Sequence, residues 1–124
     1  MSNETVKEET IKADPIFDEA KDESELQNDI KAGEWQKLRQ FETYKRRSRQ
    51  GRIIATHQAV CNRIKQLETL FYQLVRNHPA KAVKLLNEIK RLRFLAEWLL
   101  QSLIWEERGQ LEDHEMPPEL EPLL

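Results

Sequence analysis

The hydrophobic pattern of the chain is regular between Ile53 and Leu103, and it divides into two series around Asn77-His78-Pro79. Members of both series follow one another at alternating steps of three and four residues. The first series is Ile53, His57, Val60, Ile64, Leu67, Phe71 and Leu74. The second series is Ala82, Leu85, Ile89, Leu92, Ala96, Leu99 and Leu103. This spacing is typical of amphipathic helices that pack lengthwise on one another, as in a coiled coil.

The two series are mirror images about His78, so that Leu74 corresponds to Ala82 and Ile53 to Leu103. A short connection between two helices makes them antiparallel neighbours. Pro79 suits the first turn of a helix, and a glycine such as Gly109 is a common signal at the end of one. The sequence therefore predicts an all-α fold built on a long antiparallel helical hairpin over about 52–77 and 79–108.

A further apolar stripe precedes the hairpin and consists of Trp35, Leu38 and Phe41. It predicts an N-terminal helix over about 34–50. Gly51 lies where the stripe is interrupted, and glycine in a helix interior costs roughly 1 kcal/mol relative to alanine. Two interpretations remain open. Either one helix runs from Glu34 to Asn77, or the chain bends near Gly51 and folds back.

The last helix has a second apolar face, formed by Phe94, Trp98 and Trp105. We expect this face to be covered by the N-terminal helix, which gives a three-helix bundle, or by a second copy of the chain, which gives a dimeric bundle. A core of this size rarely supplies more than about 3–5 kcal/mol of stability, and this favours the addition of one or both covers. We expect a homodimer. The predicted partner or dimer interface comprises Trp35, Leu38, Phe41, Phe94, Trp98 and Trp105.

The net charge of −2 conceals three regions of opposite sign. Residues 1–33 carry a net charge of −6, residues 34–110 carry +9, and residues 111–124 carry −5. We predict an acidic, disordered N-terminal segment over 1–33, because its apolar residues are too sparse to offset the entropy of ordering. The basic helical domain spans 34–109. An acidic tail with three prolines follows over 110–124, and we expect it to be extended and solvated, with a docking peptide as the alternative.

Five cations lie within eight residues ahead of the hairpin: Lys45, Arg46, Arg47, Arg49 and Arg52. Such a run can neutralise several phosphates, and Arg63 and Lys65 extend it. Tyr44 and Tyr72 are available to stack on bases. The alternative is that these cations are solvated, or that they pair with the acidic ends of the chain or with an acidic protein partner.

These observations predict a small, non-enzymatic regulatory or accessory protein whose basic helical surface binds nucleic acid, DNA or RNA, mainly through phosphates. The alternative is a protein–protein adaptor or assembly factor that uses the aromatic face of the last helix and the N-terminal helix. If the acidic segment 1–33 competes with nucleic acid for the basic surface, its deletion should tighten binding at low salt.

Other chemistries have little support in the sequence. His57 and Cys61 stand four residues apart on one helix face, a spacing that can ligate a metal, but no other His or Cys is placed to complete a site. The chain has only three glycines and therefore no phosphate-binding loop. We predict no metal, no cofactor, no small-molecule substrate and no enzymatic activity. The absence of a long apolar run and the single cysteine predict a soluble cytoplasmic protein without membrane contact.

Overall fold

The computed structural model describes residues 33–108 and 115–124, and for residues 105–108 it describes the backbone alone. The described residues form four helices and no strand. These are a 3₁₀ helix at Trp35–Gln40, α1 at Glu42–Lys45, α2 at Arg49–Leu74 and α3 at Pro79–Arg108. Residues 115–124, here named the C-terminal segment, form turns. The all-α prediction is confirmed, whereas the expectation of disorder over residues 1–32 lies outside the described residues.

The two long helices, α2 and α3, pack against each other along the predicted seam. Every residue of the two apolar series is buried or half-buried, and Ile53, Val60 and Leu99 are fully buried. Ion pairs cross the seam between Arg93 and Glu68 (Nη2–Oε2, 2.6 Å) and between Arg63 and Glu88 (Nη2–Oε2, 3.5 Å). The apolar periodicity therefore identifies the contact surface correctly.

The connection between α2 and α3 is short, so the two helices are antiparallel. The His78 N–H donates to the Leu74 carbonyl (2.8 Å), and the Ala82 N–H donates to the His78 carbonyl (3.0 Å). Pro79 is the first residue of α3, where its missing N–H would have had no partner within the helix. The bounds of α3 match the predicted 79–108, and α2 begins and ends three residues before the predicted 52–77.

The predicted continuous helix over 34–50 is wrong. The chain forms the 3₁₀ helix and α1 and then leaves helical geometry before α2. Ser48 is extended (φ −62°, ψ 166°), and its Oγ accepts a hydrogen bond from the Gly51 N–H at 3.1 Å. This side chain caps α2, so the break lies at Ser48 rather than at Gly51. The chain does fold back there, because the 3₁₀ helix and α1 both pack on α2.

The expectation of an extended, solvated tail is wrong for the C-terminal segment. Leu120 and Leu123 are buried in the same core as the hairpin. The Trp98 Nε1–H donates to the Glu115 carbonyl (3.1 Å), and Arg91 makes two hydrogen bonds to the Glu119 carboxylate (2.6 and 2.7 Å). The second face of α3 is therefore covered by the chain's own C-terminal segment at Trp98, rather than by an N-terminal helix.

The opposite face of the hairpin carries the Arg93–Glu68 ion pair. We name it the uncovered face, a name that refers only to residues 33–108 and 115–124. Leu100 follows Arg93 by about two helical turns, Ile104 follows it by about three, and Ile54 precedes Glu68 by about four, so all three share this face. Their side chains are 45–49% exposed. In the described ranges no helix is both long enough and apolar enough to cross a bilayer.

Candidate nucleic-acid interface

An open cavity of about 280 Å³, here named the basic cavity, lies where the N-terminal elements, α2 and the C-terminal segment meet. The 3₁₀ helix contributes one residue, α1 two, α2 one and the C-terminal segment three. The lining consists of Arg39, Tyr44, Lys45, Arg52, Pro122, Leu123 and Leu124. Three of these seven side chains are cationic and none is acidic, so the side chains of the lining favour an anion.

The three cations of the basic cavity differ in their exposure and in their hydrogen-bond partners. Arg39 is exposed. Lys45 is also exposed, and its Nζ lies 3.5 Å from Glu42 Oε1 in a pair that solvent screens. Arg52 is half-buried, and its Nη1 donates to the Arg47 carbonyl at 2.7 Å. Arg52 is therefore positioned by the backbone at the break before α2, while Arg39 and Lys45 extend from the surface.

Tyr44 forms the floor of the basic cavity and joins its parts. Its ring is 1% exposed. The hydroxyl donates to the Leu123 carbonyl (2.8 Å) and lies 2.9 Å from Thr56 Oγ1. Burial raises the pKa of Tyr44, while the hydrogen bond with Thr56 and the charges of Arg52 and Arg47 oppose that rise. The hydroxyl therefore remains protonated at neutral pH and remains a donor.

The structure separates the cations that the sequence groups together. Lys45 and Arg52 line the basic cavity, and Arg46 is exposed next to Lys45. The prediction that Arg47 binds nucleic acid has to be corrected. Arg47 is only 6% exposed, so its guanidinium is almost inaccessible to a ligand. Arg49 is half-buried.

The predicted extension along α2 does not join this site. Arg63 pairs with Glu88 across the seam. Lys65 is exposed, but it follows Arg52 by thirteen residues, or about 20 Å along the helix. Tyr44, predicted as a stacking residue, is buried, and Tyr72 is 75% exposed near the hairpin turn. The predicted basic surface is therefore reduced to a compact group at one end of the hairpin.

Sequence reasoning missed Arg39 and the contribution of the C-terminal segment. Arg39 lies outside the dense basic run, and its place in the cavity follows only from the fold of the 3₁₀ helix onto α2. The leucines at the end of the chain gave a weak signal, since an acidic segment with apolar residues is also the pattern of a docking peptide. The structure places this peptide on the chain itself.

Part of the acidic C-terminal region neutralises the basic domain, as the alternative interpretation expects. The Arg91 guanidinium holds the pKa of the Glu119 carboxyl below its usual value, and the same hydrogen bonds raise the pKa of Arg91. This pair joins α3 to the C-terminal segment, and neither of its residues lines the basic cavity. No residue of the C-terminal segment that lines the basic cavity is acidic, so the three cations there are not neutralised by that lining.

His57 and Cys61 contact each other, with Cys61 Sγ 3.6 Å from His57 Nε2. Burial lowers the pKa of His57. Burial also raises the pKa of Cys61, an effect that the charge of Lys65 opposes. The imidazole and the thiol are thus both neutral near pH 7. Within the part of the chain that the structure describes, no three His, Cys, Asp or Glu side chains are grouped to hold a metal ion.

The residues predicted to form a partner or dimer interface do not form one exposed surface. Trp35 and Leu38 are buried in the chain's own core, and Phe41 packs partly against it. Trp98 is 8% exposed beneath the C-terminal segment. Phe94 is about half exposed, with the Arg91 guanidinium 4.9 Å from its ring centroid. The side chain of Trp105 lies outside the described residues.

Comparisons of this chain with protein-family models, with curated proteins and with solved structures found no match. The function therefore has to be inferred from the site itself.

Proposed function

We propose that this chain is a non-enzymatic binding protein that engages nucleic acid through phosphate groups at the basic cavity. The observation that carries the proposal is that Arg39, Lys45 and Arg52, from three different elements, line one cavity whose lining includes no Asp or Glu side chain. A concave surface with charges of one sign concentrates ligands of the opposite sign, and contact with phosphates releases bound counterions.

The proposed site is small, and its affinity should be correspondingly low. With Arg46 beside the cavity, three or four cations are available for phosphate contacts. Each contact contributes about −0.7 to the slope of log K against log salt for a single strand. We therefore expect a total slope of about −2 to −3, with binding that is measurable at low salt and weak near physiological salt.

A charge-reversal variant tests this site. The triple variant Arg39→Glu, Lys45→Glu, Arg46→Glu changes three exposed side chains, so the fold should be retained. The matched control reverses three exposed cations near the hairpin turn, namely Arg76→Glu, Lys81→Glu and Lys84→Glu. Both variants have the same net charge. We expect the first to lose at least about tenfold in affinity for labelled DNA and RNA at low salt, and the control to lose much less.

Several results would contradict the proposal. If the wild-type protein shifts neither DNA nor RNA at low salt, nucleic-acid binding is wrong. If both variants lose affinity equally, binding follows overall charge and the cavity is not the site. If the control alone loses affinity, the interface lies at the hairpin turn. Circular dichroism of each variant verifies that the helices are intact.

A second function, a protein–protein adaptor, is supported by the uncovered face. Ile54, Leu100 and Ile104 expose nearly half of their side chains there. Exposed apolar groups gathered on one face are characteristic of interaction sites. This adaptor would bind through the hairpin rather than through Trp35 or Trp98, because both of those side chains are buried in the chain itself.

A further inference from the structure

The basic cavity has two chemically unlike parts. The N-terminal elements and α2 contribute the cations, whereas the C-terminal segment contributes only Pro122, Leu123 and Leu124. Pro122 is exposed and Leu124 is half-buried, so both offer apolar surface to a ligand. A ligand that uses both parts of the cavity therefore carries an anionic group attached to an apolar group.

The apolar part is fixed in place beside the cations. The Tyr44 hydroxyl holds the Leu123 carbonyl at 2.8 Å, and Leu123 is buried. The two hydrogen bonds between Arg91 and Glu119 hold the same segment against α3. The C-terminal segment thus forms a wall of the cavity rather than a loose end beside it.

We infer that the basic cavity takes an unpaired nucleotide, with its phosphate at Arg39, Lys45 and Arg52 and its base against Pro122 and Leu124. This inference rests on the proposed function and specifies its ligand as single-stranded nucleic acid. The volume of about 280 Å³ is slightly below the usual range for pockets that bind whole drug-sized ligands, so it admits about one nucleotide.

The geometry disfavours a duplex. In a duplex the bases are stacked inside, and a protein surface beside the backbone meets mainly phosphate and sugar. A duplex can reach the cations but cannot place a base against the C-terminal segment. A single strand presents its bases to apolar and aromatic surfaces while its backbone follows the cations. Only the single strand uses both parts of the cavity.

The test compares two labelled probes by fluorescence anisotropy with the full chain at low salt. One probe is an oligothymidylate of about a dozen nucleotides, and the other is the same strand annealed to its complement. We expect the single strand to bind at least about fivefold more tightly, because it adds apolar burial to the phosphate contacts. Pro122→Ser removes the apolar ring without changing charge and should lower this ratio. Pro118→Ser is the matched control, since Pro118 is also exposed but is outside the lining.

Each outcome has a distinct meaning. Equal affinity for the two probes overturns the preference and leaves phosphate binding in place. The absence of binding to either probe means that the proposed function itself is wrong. If Pro122→Ser leaves the single-strand preference unchanged, the placement of the base against the C-terminal segment is wrong. The placement is also wrong if Pro118→Ser lowers the preference as much as Pro122→Ser does. A ratio that falls in Pro122→Ser alone supports the inference.

Discussion

Tyr44 connects parts of the molecule that are far apart in the chain. It belongs to α1, its ring lies in the core, and its hydroxyl reaches Thr56 on α2 and the carbonyl of Leu123. In the unfolded chain this carbonyl accepts hydrogen bonds from water. If it is buried without a donor, it loses those bonds and gains none in return, which destabilises the folded state. This single hydroxyl therefore stabilises both the core and the wall of the basic cavity.

The first prediction concerns this hydroxyl. Tyr44→Phe should lower the free energy of unfolding by about 1–3 kcal/mol, because the buried Leu123 carbonyl is left without its partner. Urea denaturation followed by circular dichroism measures the change. Tyr72→Phe is the matched control, since Tyr72 is 75% exposed and should leave stability unchanged. Equal stabilities of the two variants would show that the Tyr44 hydrogen bond contributes little.

Arg47 illustrates what the sequence could not decide at the residue scale. It stands within a run of cations that look equivalent, yet it alone among them is buried. Helical periodicity assigns faces only within a continuous helix, and the chain leaves helical geometry between α1 and α2. The direction of Arg47 therefore depends on the geometry of the break, which the spacing of the cations does not reveal.

Among the elements, the break before α2 could have been located from the sequence. Ser48 is a strongly preferred residue at the start of a helix, because its side chain accepts a hydrogen bond from a backbone N–H in the first turn. The low helix propensity of Gly51 was a weaker signal, since one glycine can be accommodated inside a helix. Of the two open interpretations, the one with a bend relied on the glycine and so placed the break three residues too late.

The C-terminal segment forms consecutive turns, which its three prolines did not suggest in the sequence. The Leu120 N–H donates to the Pro117 carbonyl (3.0 Å), and the Leu123 N–H donates to the Leu120 carbonyl (2.9 Å). These consecutive turns accompany the burial of both leucines in the core. The prolines correctly exclude a long helix, but short turns tolerate proline and still gather apolar residues.

The second prediction concerns how this segment responds to acid. The pKa of Glu119 is lowered in the folded protein by its hydrogen bonds to Arg91. The contribution of this pair is therefore fully present above the pKa that this carboxyl has in the unfolded chain, and it is lost as the pH falls through the lower pKa of the folded state. We expect the indole N–H resonance of Trp98 in an NMR spectrum to shift as the segment loosens in this acidic range.

Glu119→Gln should reproduce the loosening at neutral pH and remove the acid response of the Trp98 resonance. The loss of stability should be at most about 1 kcal/mol, because Arg91 is half exposed and the pair is partly screened. Glu115→Gln is the control, since it makes the same charge change at an exposed residue. Glu115 accepts the Trp98 hydrogen bond with its backbone carbonyl, which the substitution leaves in place. Identical behaviour of the two variants would contradict the role of the Arg91 pair.

At the scale of the whole molecule, the hairpin has two broad faces, and the other described elements pack on one of them. The 3₁₀ helix, α1 and the C-terminal segment lie on one face, and the uncovered face exposes Ile54, Leu100 and Ile104. We propose this face as the contact of the expected homodimer, because a second copy that packs on it would bury these three side chains. The aromatic residues that the sequence predicts for this role are mostly used inside the chain.

The third prediction follows from that arrangement. If the wild-type chain dimerises through the uncovered face, Leu100→Glu should convert it to a monomer with its helicity retained, as measured by light scattering after size exclusion. Val83→Glu is the control, because Val83 is exposed on the same helix but away from the uncovered face. A wild-type monomer at high concentration, or equal effects of both variants, would exclude the uncovered face as a dimer contact.

The sequence by itself determined the long helices and their contact surface. Apolar periodicity repeats with every helical turn, so a pattern that spans about fifty residues identifies one face of each helix, and Pro79 marks the turn between them. Only the tertiary structure decided which cations remain exposed and what covers Trp98. Those outcomes depend on contacts such as Tyr44 with Leu123 and Trp98 with Glu115, which join residues far apart in the chain. Local spacing carries no information about such contacts, because they form only when separate elements pack together.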